Sequence, residues 1–78
     1  MISLTDLTQK QWARAFEKLG AEIDTRKGKG SHIRAFHPSG NFKPQTIPYK
    51  VHKFISIELY KTLLEWGFSE EDIDKALK

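Results

Sequence analysis

Residues 21–37 read AEIDTRKGKGSHIRAFH, and this stretch decides the fold. From Ala21 to Arg26, apolar and polar side chains alternate: Ala21, Ile23 and Thr25 against Glu22, Asp24 and Arg26. A period of two is the mark of a half-buried strand. Lys27-Gly28-Lys29-Gly30 breaks the alternation with a turn composition, and Ser31 to His37 resumes it. In the return strand Ile33 and Ala35 face the core, which sends His32, Arg34 and Phe36 to the opposite face. The segment is therefore expected to be a hairpin with a basic, glycine-rich tip.

Outward from the hairpin, His37-Pro38-Ser39-Gly40-Asn41 is a second turn, and Phe42 to Pro48 a third strand. Pro44 and Pro48 suit an edge position, where a missing N–H costs no ladder bond. Before the hairpin, Thr8 caps a helix and Gln11 completes a capping box. Trp12, Phe16 and Leu19 share the face of that helix that seeks a core, with Ala13 and Ala15 at its edges, and Gly20 ends it. Tyr49 to Ile55 reads as a basic connector. Ser56 is expected to cap a second helix, with Glu58 in its first turn and Leu59, Tyr60, Leu63, Leu64 and Trp66 on its buried face. Gly67 stops it. Ser69 with Asp72 starts a short third helix carrying Ile73, Ala76 and Leu77 inward. The order α-β-β-β-α-α predicts an α+β domain, helices on one face of a three-stranded antiparallel sheet and the other face open. The 78 residues suffice for a single domain, 1–78, too small to enclose a large pocket.

Composition narrows the chemistry. Without cysteine, a disulfide scaffold, thiol catalysis and thiolate metal sites are excluded. The N-terminal residues lack the charged start and apolar run of a signal peptide, and no apolar stretch approaches a membrane span. A cytoplasmic protein with no membrane partner is the expectation. The net charge of +3 is unevenly spread. Residues 25–57 carry Arg26, Lys27, Lys29, Arg34, Lys43, Lys50 and Lys53 and no acid, whereas the two flanks hold all ten acidic residues. A basic block of this kind commonly meets phosphates, and it also occurs as a plain solvated face.

Lys27, Lys29, Gly30 and Ser31 form a loop whose glycines let backbone N–H groups approach a phosphate. It is not a Walker loop, because the glycine spacing is wrong and a strand follows. His32 comes next, at a strand start. Histidine titrates near neutral pH and can exchange a proton during RNA cleavage, where the 2′-hydroxyl is an internal nucleophile. No metal or other cofactor is expected: the histidines are His32, His37 and His52, and no carboxylate lies among them. From spacing alone, an ordinary surface histidine in a hairpin has the stronger claim on His32.

A resemblance shifts that balance. The helix ending Lys18-Leu19-Gly20, the Lys29-Gly30-Ser31-His32 stretch and the His37-Pro38-Ser39-Gly40 turn occur in the order and spacing of the HicA family of toxin mRNA interferases. Thr46-Ile47-Pro48, His52 and Leu63-Leu64-Glu65-Trp66-Gly67-Phe68-Ser69 continue the match along nearly the whole chain. The resemblance implies a double-stranded-RNA-binding-domain-like fold with an extra short C-terminal helix. It implies a metal-independent endoribonuclease acting on mRNA, with His32 as general acid or base, silenced by a cognate HicB-type antitoxin. Lys27, Lys29, Gly30, Ser31, Arg34, Lys43, Lys50, His52 and Lys53 are then the expected RNA contacts. The chain departs from the family at Lys53-Phe54-Ile55, where members often carry polar or acidic residues, and in a longer acidic tail. The alternatives are a non-catalytic RNA-binding module and a protein-interaction domain with a basic docking face.

Overall fold

The computed structural model describes residues 4, 6–24 and 32–78. Three helices and three strands follow one another in the expected order: α1 (Gln9–Lys18), β1 (Glu22–Asp24), β2 (Ile33–Phe36), β3 (Gln45–Ile47), α2 (Lys53–Glu65) and α3 (Glu70–Leu77). The domain is α+β. The strands form an antiparallel meander in the order β1-β2-β3. They are shorter than the alternation in the sequence suggests, and Thr25, Arg26 and Ser31 lie outside the described residues.

Local chemistry accounts for the ends of α1. The Thr8 hydroxyl accepts from the Gln11 backbone N–H, and the Gln11 side chain accepts from the Thr8 N–H at 2.8 Å, so two N–H groups with no helical partner are satisfied at once. At the far end Gly20 takes φ +101°, and Gly20 and Ala21 donate back to Glu17 and Phe16. This is a Schellman stop, which needs a residue free of a Cβ penalty. The same device closes α2: Gly67 sits at φ +99°, Gly67 and Phe68 donate to Leu64 and Leu63, and Phe68 packs against the core.

The core lies between the helices and one sheet face. Trp12, Ala15 and Phe16 of α1, Leu59 and Leu63 of α2 and Ile73 of α3 meet Ala35 and Ile47 of the sheet, all fully buried. Burying each larger side chain contributes about 1.5–3 kcal/mol, which a chain this small needs. The indole of Trp66 sits edge-on to Phe16 with ring centres 5.5 Å apart. α1 lies across all three strands, α2 packs on β3, and α3 packs on α1 and α2.

Two expectations for α2 are corrected. It begins at Lys53, not after Ser56, and Glu58 therefore falls beyond its first turn. Ser56 is fully buried and accepts a hydrogen bond from the Trp12 indole at 3.0 Å. A buried indole N–H must find an acceptor, and that need turns Ser56 inward rather than leaving it at a helix end. Leu64 points outward and is 39% exposed, because the inward face follows Ser56, Leu59, Leu63 and Trp66.

Candidate functional site

Strand register defines the face away from the helices. Ile23 pairs with Ala35, and Ile33 with Ile47, on the core side. On the other side Glu22 stands opposite Phe36, Asp24 opposite Arg34, and Arg34 opposite Thr46. Arg34, Thr46 and Glu22 are exposed and Phe36 is half-buried. His32 immediately precedes β2, is exposed, and continues the alternation toward Arg34, about 7 Å further along the strand.

The register also sorts the predicted phosphate contacts by position. Ile33 pairs with Ile47, the last residue of β3, so His32 and the Pro48–His52 connector leave from the same end of the sheet. That connector and the first residue of α2 carry Lys50, His52 and Lys53, all exposed. Lys43 is exposed too, but it precedes β3, whose first residue pairs with Ala35. It belongs to the opposite end of the sheet, roughly five residues or 16 Å of strand from His32. Lys27, Lys29, Gly30 and Ser31 lie outside the described residues.

The three histidines have different environments. The His37 Nδ1 accepts from the Ser39 backbone N–H at 3.0 Å and lies 2.8 Å from the Ser39 hydroxyl, which accepts from the Asn41 N–H. Since a backbone amide only donates, Nδ1 carries no proton in this arrangement. The imidazole packs on Phe42 at 4.7 Å and edge-on to Trp66 at 5.3 Å between ring centres. His37 therefore organises the turn before β3. His52 is the N-cap residue of α2 but makes no side-chain cap bond, and its ring lies 6.3 Å from that of Phe54. His32 and His52 are the exposed pair.

Two features of the surface do not follow from the charge pattern along the chain. Asp24 and Glu22 precede the acid-free block in sequence yet share the open face with Arg34. The alternation of β1 already put them on the face opposite Ile23; only the register shows that Asp24 stands across from Arg34. Phe54 is the second feature, exposed at 73% in the first turn of α2.

A groove of about 690 Å³ runs between α1 and the sheet, lined by Lys10, Ala13, Arg14, Glu17, Ile23 and Ile33 among others, and among the described residues none of the predicted site residues borders it. Among the described residues, no three His, Asp or Glu side chains gather where they could share a metal ion, and no helix is long and apolar enough to cross a membrane. Comparison with protein-family models, with curated proteins and with solved structures finds no match. Fold and site together define an α+β domain with a three-stranded sheet, one face of which is covered by none of the described helices and carries mixed charge beside an exposed histidine.

Proposed function

We propose that this domain is an endoribonuclease that cleaves single-stranded mRNA without a metal, on the sheet face that carries His32. The observation behind this reading is the grouping at one end of the sheet: exposed His32 and Arg34, with Lys50 and His52 on the adjoining connector and Lys53 at the start of α2. In such a reaction the 2′-hydroxyl oxygen attacks the neighbouring phosphorus, the bond to the 5′-oxygen breaks, and a 2′,3′-cyclic phosphate and a 5′-hydroxyl result. His32 takes the 2′ proton or supplies one to the leaving oxygen. Arg34 and the connector lysines hold phosphate oxygens and offset the charge that builds there.

The resemblance to HicA toxins supports the same reading and extends it. It suggests a double-stranded-RNA-binding-domain-like fold, a cytoplasmic setting, and a HicB-type antitoxin that silences the domain by covering this face. The α+β order and the helix-free face are compatible with that picture.

The test is incubation of wild type and His32→Ala with a labelled single-stranded RNA, in chelator. Wild type should leave cyclic-phosphate ends. His32→Ala should cut about 10²–10⁴-fold more slowly while binding RNA as wild type does. Salt-sensitive binding by both, with cleavage by neither, would identify a binding module without chemistry.

A further inference from the structure

The first turn of α2 goes against three local preferences at one place. His52 occupies the N-cap yet makes no side-chain cap bond, where Ser, Thr, Asp or Asn would stabilise the helix. The first turn holds no acid, and Lys53 puts a cation against the positive end of the helix dipole. Phe54 leaves an aromatic ring 73% exposed, although burying it would favour folding. Local choices that oppose folding and converge on one spot mark a functional surface.

We propose that Phe54, with the His52 ring beside it, forms a stacking platform for an unpaired base of bound single-stranded RNA. This rests on the RNA reading above and adds a base-contacting element to it. The rings of His52 and Phe54 are 6.3 Å apart and steeply inclined at 77°, which leaves a flat face of Phe54 free of the imidazole. Lys50 and Lys53 are exposed on either side of His52, and the nearest acid along the chain is Glu58, one turn further into α2. An aromatic face set among cations suits a nucleobase and its phosphates, since every base has a π-face and stacking tolerates any sequence. On the helix face Phe54 neighbours half-buried Ile57 and exposed Glu58, and exposed Lys53 precedes it, so the surroundings are mostly charged and favour a nucleobase over an apolar protein surface. The connector leaves β3 at the end of the sheet where His32 stands. The proposed path takes a strand with its phosphate at His32 along this connector to His52 and Phe54.

The experiment measures binding of a fluorescent 2′-O-methyl oligoribonucleotide, which lacks the attacking hydroxyl and stays intact. Phe54→Ala should weaken binding about tenfold or more without changing the slope of affinity against salt, since stacking releases no counterions. Phe54→Trp should bind at least as well as wild type, with its exposed indole emission quenched on RNA addition. If Phe54→Ala binds like wild type while Lys50→Ala and Lys53→Ala bind weakly, the platform is wrong and the RNA reading stands. A wild-type protein that fails to bind the oligonucleotide at low salt overturns both.

Discussion

The Trp12 indole N–H donates to the Ser56 hydroxyl at 3.0 Å, and both side chains are fully buried between α1 and α2. This bond joins residues 44 positions apart and fixes how α2 sits on α1. Ser56→Ala leaves the indole N–H buried and unpaired, a loss of about 1–3 kcal/mol. Urea denaturation should show a lower midpoint with an unchanged slope. Combining it with Trp12→Phe should cost less than the two single changes summed, because neither polar group is then orphaned.

Tyr60 links α2 to α3 through a hydrogen bond from its hydroxyl to Asp74 at 3.2 Å. Burial, and then the neighbouring Asp74 carboxylate, push its phenol up from 10.0 to about 12. Because the folded value lies above the unfolded one, the unfolded chain ionises first as pH rises. The contribution of Tyr60 is complete below about pH 10 and is lost as pH climbs toward 12. Thermal melts between pH 9 and 12 should fall more steeply for wild type than for Tyr60→Phe. Parallel curves would mean that the Tyr60 phenol ionises alike in both states.

His37 holds the turn before β3 through Ser39 and packs on Phe42 and Trp66. His37→Ala removes both the turn acceptor and the ring contacts. A loss of about 1–2 kcal/mol is expected, from one net hydrogen bond and one aromatic contact. RNA cleavage below the melting temperature should be unaffected, because His37 lies at the other end of β2 from His32. A hundredfold fall in cleavage by folded His37→Ala would place it in the chemistry instead.

Much of this fold was legible in the sequence because short-range chemistry dictates it. The Thr8–Gln11 box, the glycine stops at Gly20 and Gly67 and the Ser69–Asp72 cap are each fixed by residues within a turn of one another. The hairpin faces followed from alternation: Ala35 is buried and Ile33 packs against the core as that pattern requires. What local pattern could not supply were long-range relationships. Ser56 has the composition of a cap, and only a tryptophan on a distant helix turns it inward. Lys43 counts toward the basic block in sequence, yet the register carries it away from His32. Asp24 counts outside that block, yet the register carries it in.

Asp24 faces Arg34 directly across β1 and β2, on the face proposed to hold RNA. Opposite charges so placed contribute about 0.2–1 kcal/mol to sheet stability. The same carboxylate stands across the strands from the guanidinium proposed to hold phosphate, and its charge repels phosphate there. Asp24→Asn should therefore remove about 0.2–1 kcal/mol of cross-strand attraction while tightening RNA binding. At low salt the gain should be about 1.4- to fivefold, the conversion of that same energy into an affinity ratio. It should vanish at high salt, where exposed charges are screened. Titration of the uncleavable oligonucleotide at two salt concentrations measures this. Unchanged affinity together with a hundredfold loss of cleavage would give Asp24 a different role, as a positioning or proton-transfer group beside His32.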